Sequence, residues 1–231
     1  MHISLPKGMM FWHIMRNEKK KIPFLIDGIS IATFNKKVGL NISVFYETLC
    51  RPSVRLIQRQ LKPVWWELKD YLNISFVPYG KAVYNKNDDG IWSFDCHHGP
   101  QECLGNKIQA CGLSILKNDS TKSMEYISCF MTYNNFYPYK TTCFEDIVDN
   151  LESKTKHEEC VNSTKGDEIL AYYGDLTYSV QPSITSVPAL TFNGVFNYDW
   201  QHRAINDFKS VVCDFLQSLK LTACFKTNAF I

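Results

Sequence analysis

The side chain whose number and placement could do most chemistry in this chain is cysteine. There are nine in 231 residues, and an odd count leaves at least one thiol without an intramolecular partner. Cys50 is the candidate, because Cys50-Arg51-Pro52-Ser53 follows a strand-like segment and opens a helix-like one. A thiolate is the nucleophile of disulfide exchange. Unpaired N–H groups and the dipole at a helix start favour that thiolate, and the Arg51 charge adds to the effect, so a Cys50 pKa below the ordinary value of about 8.5 is expected. Ser53 stands where a second cysteine would release the product from a mixed disulfide, and its hydroxyl cannot do so. It can still donate a hydrogen bond to the Cys50 thiolate. The plainer alternative for Cys50 is an inert buried thiol or one half of a structural disulfide.

The other eight, Cys96, Cys103, Cys111, Cys129, Cys143, Cys160, Cys213 and Cys224, are expected to form four disulfides. Their pairing is open, since eight cysteines allow 105 arrangements. So many cysteines are unusual in a reducing cytosol, where thiols serve metals or catalysis. Cys96 and His98 are close, but no second Cys/His pair follows at zinc-finger spacing, so no metal is expected. Sequons at Asn41, Asn73, Asn118 and Asn162 agree with a secretory route and glycosylation. A formal charge of +2 and a basic run no longer than Lys19-Lys20-Lys21 carry no nucleic-acid footprint. No apolar run suits a transmembrane segment. Residues 1–39 read as a signal-like leader, interrupted by Asp27 and Gly28, or as a disordered segment; residues 225–231 read as a C-terminal tail.

The elements that must position Cys50 follow from periodicity. Leu40–Tyr46 partly alternates apolar and polar residues and is rich in strand formers. Pro52 suits a first helical turn, Val54, Leu56, Ile57 and Leu61 make a helical stripe, and Pro63 is expected to kink or end it. Helical spacing resumes from Trp65 to Leu72, and a second strand covers Ile74–Tyr79. Asn85–Gly90 is a turn, with a short strand over Ile91–Phe94. Helices are expected at Gln101–Leu116, Lys122–Thr132, Thr142–Leu151 and Asp167–Tyr178. A strand Ala189–Phe192 leads to an Asn193-Gly194 hairpin turn, and a last helix carries Ile205, Phe208, Val212, Phe215 and Leu219 on one face. The order βαβ, helical block, ββα is an α/β, thioredoxin-like fold over 40–224 with a helical insertion at about 99–180. In that fold a cis-proline loop faces the active cysteine and offers backbone groups to an extended substrate; Val187-Pro188 is its counterpart here.

The segment from Cys96 to Cys111 carries a resemblance. Cys96-His97-His98-Gly99-Pro100-Gln101-Glu102-Cys103, followed by Asn106 and Cys111, resembles the Cys-Gln-His-Gly-x2-Glu-Cys-x2-Asn-x4-Cys signature of the gamma-interferon-inducible lysosomal thiol reductase (GILT) family. His97 replaces the family's Gln. The resemblance takes in Phe45–Cys50, Val77–Gly80, Val187-Pro188 with Asn193-Gly194, and the spacing of the later cysteines. It implies a disulfide-stapled thioredoxin-like domain, glycosylated and secreted or resident in the endosomal or lysosomal lumen, where members reduce protein disulfides at acid pH. By position Cys50 matches the attacking cysteine and Pro188 the cis-proline, while Ser53 leaves the resolving position without its thiol. The signature block itself reads as a disulfide staple around a helix start, with no obvious catalyst in it.

Two functions follow. One is a thiol-disulfide oxidoreductase relative acting through Cys50 alone, with no bound cofactor and with glutathione or free cysteine as external resolver, its dithiol reductase activity weak or lost. The other is a secreted, non-catalytic, immune-type interaction protein that keeps the scaffold. Whether the chain is an enzyme stays open between them. The partners are disulfide-containing proteins or a protein binding partner, with no nucleic acid, for a monomer or a disulfide-linked dimer.

Overall fold

A computed structural model describes residues 39–117, 119–132 and 142–225. The leader reading of residues 1–38, the sequon at Asn118 and the tail beyond Phe225 lie outside the described residues.

Strand β1 (Leu40–Tyr46) is the centre of the fold. Side chains alternate across a strand, so Leu40, Ile42, Val44 and Tyr46 enter one core while Phe45 enters another on the opposite face of the sheet. The chain then runs through α1 (Arg51–Leu56), a π turn (Ile57–Leu61) and α2 (Lys62–Leu68). It returns as β2 (Leu72–Pro78), parallel to β1 from Leu40↔Leu72 to Tyr46↔Pro78. A separate hairpin, β3 (Val83–Lys86) and β4 (Trp92–Asp95), precedes the helical block. That block comprises α3 (Pro100–Leu116), α4 (Ser120–Phe130), α5 (Thr142–Glu145), α6 (Leu151–Val161) and α7 (Thr164–Tyr178). Strands β5 (Ala189–Phe192) and β6 (Val195–Phe196) complete a four-stranded sheet ordered β2-β1-β5-β6, with β5 antiparallel to β1. Helices α8 (Tyr198–Asn206) and α9 (Phe208–Phe215) close the described chain with two short 3-10 turns. The fold is thioredoxin-like, with the helical insertion between β4 and β5.

The main core joins β1 to the apolar stripe Val54, Leu56, Ile57, Leu61 and Trp65 and to Phe208, Val211 and Val212. Each large side chain fully buried there contributes roughly 1.5–3 kcal/mol relative to exposure. The opposite face packs Phe45, Val77, Ala189 and Phe196 against Tyr173 and Leu176 of α7.

Three expected boundaries shift for local reasons. Pro63 neither ends the helix nor stands in mid-turn: the π turn before it lets Lys62 N–H reach Ile57 O, and Pro63 occupies the first turn of α2, where a missing N–H costs nothing. The expected helix 142–151 is only α5; Asn150 instead caps the separate α6 by accepting from Ser153 N at 2.8 Å. The single last helix is two. Asp207 leaves helical geometry (φ −145°, ψ 73°) and its side chain caps α9 through Ser210 N. The buried stripe consequently runs Ala204, Phe208, Val212, Leu216, with Leu219 exposed. Asn193 and Gly194 both take positive φ (50° and 80°), the pair that a tight hairpin turn between β5 and β6 requires.

All eight downstream cysteines are bridged, as Cys96–Cys103, Cys111–Cys160, Cys129–Cys143 and Cys213–Cys224, and Cys50 is the free cysteine. Cys103 and Cys111 lie two turns apart on α3 and take different partners: the loop before the helix, and α6.

Candidate active site

Cys50 caps α1 from an extended conformation (φ −73°, ψ 110°) at the end of the turn that leaves β1. Its N–H donates to Glu47 O at 3.3 Å, and its carbonyl accepts from Val54 N at 3.1 Å. The side chain is 6% exposed, and Sγ donates to Val187 O at 3.7 Å. Val187-Pro188 is a cis peptide, so the loop carbonyl and the free thiol come together across a gap of 137 residues. Gln201 on α8 holds that loop: Nε2 donates to Pro188 O at 2.6 Å, and Oε1 accepts from Leu190 N at 2.8 Å. Nothing in the local pattern around Gln201 marks it; only its meeting with the loop does.

The thiol's electrostatics differ from the sequence expectation. Burial pushes the Cys50 pKa above the ordinary cysteine value, and the Glu47 and Glu102 charges push it further. Ser53, through its hydroxyl and its backbone N–H, favours the thiolate. In the resting geometry Ser53 Oγ is buried and makes no hydrogen bond, so its full contribution comes when the thiol ionises and the hydroxyl turns toward it. Arg51 is exposed and is not among the charges acting on Cys50, so its expected role as thiolate stabiliser has no support in the structure. Desolvation by burial is the largest effect here and outweighs what favours the thiolate at the helix start.

The signature block does more than staple. Glu102, Asn106 and Gln109 share the buried face of α3 and are fully enclosed. Asn106 Oδ1 accepts from Thr48 N at 3.0 Å, Glu102 O accepts from Thr48 Oγ1 at 3.2 Å, and Glu102 Oε2 accepts from Leu49 N at 3.3 Å. Gln109 Oε1 accepts from the Tyr46 hydroxyl. Glu102 and Asn106 therefore hold the backbone on which Cys50 rides, and Gln109 on the same helix face fixes the Tyr46 side chain. Glu102 also reaches back over its own helix start, accepting from His98 N at 3.0 Å. Burial pushes its carboxyl above the usual range, as does the neighbouring Glu47, against the pull of the His98 contacts.

Glu47, also fully buried, lies against Gly80 and accepts from Lys81 N at 2.9 Å. A Cβ on Gly80 would meet Glu47 Cγ at 2.1 Å, and Gly80 has φ +65°. The Val77–Gly80 segment thus needs its glycine for space and for conformation. Sequence reasoning included Glu102, Asn106 and Gly80 in motifs without giving them this work, and gave Glu47 none; the signal was a buried-type spacing of polar residues, i, i+4, i+7, on α3.

Asn41 and Asn73 are exposed neighbours on β1 and β2, with Asn73 Nδ2 donating to Asn41 Oδ1 at 2.8 Å; Asn162 is exposed at the end of α6. No helix among the described residues is long and apolar enough to cross a membrane.

Residues 41–164 match the family model described as gamma interferon inducible lysosomal thiol reductase (GILT). The chain is 32% identical over 213 residues to GILT-like protein 1 of Drosophila melanogaster, covering 86% of this chain and 83% of that protein. It is 32% identical over 184 residues to a gamma-interferon-inducible lysosomal thiol reductase-like protein of Anopheles gambiae, covering 74% and 75%. It is 31% identical over 189 residues to the gamma-interferon-inducible lysosomal thiol reductase of Carassius auratus, covering 80% and 72%. Among solved structures, Chlamydia trachomatis DsbA superposes with a TM-score of 0.50 at 14% identity over 86% of this chain and 100% of that one, which bears on the fold alone.

Proposed function

The chain belongs to the GILT family, and from that premise we propose that it engages protein disulfides through Cys50 alone, with an external thiol completing the cycle. The observation that carries this reading is the Cys50 turn: one free thiol beneath the cis Val187-Pro188 carbonyl, Ser53 buried at the resolving position, and every other cysteine bridged. Cys50 Sγ attacks one sulfur of a substrate disulfide. The S–S bond breaks, a mixed disulfide forms, and the second substrate sulfur leaves as a thiolate that takes up the proton lost from Cys50. Ser53 cannot repeat the attack. A monothiol such as glutathione or cysteine attacks the mixed disulfide, frees Cys50 and leaves as part of a new disulfide. Val187 and Pro188 supply the backbone edge for an extended substrate, while Ser53 favours the thiolate.

We place this chemistry in a secretory, endosomal or lysosomal setting, with glycans on the exposed Asn41, Asn73 and Asn162. The bridged cysteines, the sequons and the family support that setting.

A second reading, a non-catalytic interaction protein on the same scaffold, is favoured by one feature. Cys50 is buried, and its pKa is raised rather than lowered.

Incubation with a disulfide-linked reporter peptide, read by intact mass and by turnover with and without glutathione, tests both. Wild type should accumulate an adduct and turn over only with glutathione, pre-reduced Ser53→Cys should release one equivalent of reduced reporter per chain without it as the new thiol closes a disulfide with Cys50, and Cys50→Ala should form no adduct. Release of reduced reporter by wild type equal to that by Ser53→Cys without added thiol would sink the single-cysteine mechanism. A Cys50 inert to the reporter and to a small alkylating agent would leave the interaction protein as the better reading.

A further inference from the structure

The thiol chemistry leaves a cluster beside it unused. Glu47 at the end of β1 and His97 and His98 in the loop before α3 each bring one ligand-type atom to within 4.8 Å of the others. His97 Nδ1 and His98 Nδ1 each lie 3.4 Å from Glu47 Oε2, and His98 Nδ1 lies 2.6 Å from Glu102 Oε2. We propose that Glu47, His97 and His98 form a binding site for a borderline divalent cation of the zinc type, with solvent completing its shell.

The separations fit. A tetrahedral ion with bonds of about 2.0–2.2 Å holds its ligand atoms about 3.3–3.5 Å apart, and two imidazoles with carboxylate oxygen is a donor set zinc takes. Both Nδ1-to-Glu47 separations have that length, which is longer than a good N–H···O bond of about 2.7–3.2 Å. His98 Nδ1 is at hydrogen-bond distance from Glu102 Oε2, so an ion on that nitrogen replaces the proton the two share, which passes to solvent.

The donors are also held in advance. Glu47 Oε1 is tied to Lys81 N, leaving its Oε2 toward the imidazoles, and the His98 backbone is tied to Glu102 Oε1. The two rings pack at 4.3 Å between centroids. Lys81 Nζ sits 3.2 Å from His97 Nε2, on the far nitrogen of that ring, so its charge faces the edge the ion does not use. Glu47 and Glu102 are both fully buried, and their like charges are what a cation would offset. The imidazoles are half-exposed, which opens the site to solvent and gives the ion a path in. His97 stands where the family signature carries Gln, so one of the three donors departs from that signature.

Tag-free protein, stripped with a chelator and exchanged into clean buffer, would be titrated with zinc against a chromophoric competitor, and with cobalt for its visible spectrum. One equivalent of zinc should bind, and His97→Gln should weaken it at least about tenfold, the low end of what loss of even a supporting group costs. Because His97 is half-exposed, that variant should keep the wild-type melting curve without metal. His2→Gln with His13→Gln, which removes the histidines outside the described residues, and Cys50→Ala should leave affinity unchanged. Failure of wild type to take up zinc overturns the proposal, as does binding that survives His97→Gln or is lost with Cys50→Ala or with the His2/His13 pair. The site stands or falls separately from the thiol chemistry, which the Cys50→Ala titration isolates.

Discussion

The Cys50 turn and the helical insertion are held in opposite ways. The insertion is cross-linked: Cys111–Cys160 ties α3 to α6, Cys129–Cys143 ties α4 to α5, and aromatic rings fill between, with Phe144 stacked on His157 at 4.1 Å and edge-on to Tyr126. The segment Glu47–Ser53 carries no bridge. Its Thr48 and Leu49 donate hydrogen bonds to Glu102 and Asn106, and Gln201 holds the loop facing it. The difference has a chemical reason. A bridge inside the turn would be open to attack by the neighbouring thiol, whereas side-chain amides and carboxylates fix backbone without offering a sulfur. The insertion touches the turn through Glu102 and Asn106 near the start of α3 and places those two bridges further along the chain, from Cys111 onward.

The largest test of this contrast removes the longest staple. Cys111 and Cys160 enclose 49 residues, and on chain entropy Cys111→Ala/Cys160→Ala should cost about 4 kcal/mol in urea unfolding, against about 2 kcal/mol for the short Cys96–Cys103 loop. Alkylation of Cys50 in the folded double variant should be unchanged. Altered Cys50 reactivity would mean that the staples also shape the turn.

Asn106→Ala attacks the other kind of support. It leaves Thr48 N–H buried without its acceptor and should cost about 1–3 kcal/mol. Here alkylation of Cys50 should accelerate, since the turn that buries the thiol loosens. Equal stability loss with unchanged alkylation would show that the hydrogen bond holds the core and not the turn.

The smallest effect depends on pH. His157 is held neutral: burial lowers its pKa from 6.5, against the pull of its bond to Ile108 O and of Glu145. The unfolded chain therefore binds this proton more readily than the folded one. The stability tied to neutral His157 is complete above about pH 6.5 and falls as pH drops toward the folded pKa, by at most about 1.4 kcal/mol per pH unit. His157→Phe, which keeps the stack on Phe144, should flatten that part of the profile between pH 7 and pH 5. An unchanged slope would assign the loss to other groups. For a protein read as working in acidic compartments, this places the cost of acidity in the insertion.

Much was legible in the residues alone, because it is local or counted. Nine cysteines require an odd thiol. The alternation of Leu40–Tyr46, the Asn193-Gly194 turn and the stripe Val54–Leu61 carry their periods in sequence, and the spacing from Cys96 to Cys111 carries the family. Local patterns are also where boundaries slipped, since Asp207 and Asn150 could continue a helix or cap one, and only the packing of Phe208 and the start of α6 settles which.

What tertiary structure alone decided involves partners far apart in the chain or the degree of burial. Pairing among eight cysteines depends on which Cα atoms approach within bridging distance, and no spacing rule gives that. The Cys50 pKa is raised first by desolvation, then by Glu47 and by Glu102, 52 residues away, so a reading based on the adjacent Arg51 and the helix start had the sign reversed. A search for metal ligands by Cys and His spacing looks for close pairs. It passes over Glu47, which meets His97 and His98 only because β1 ends beside the loop that leads into α3. Sequence spacing limits what a segment can do by itself; the balance of burial and charge at a site is set by the segments that fold against it.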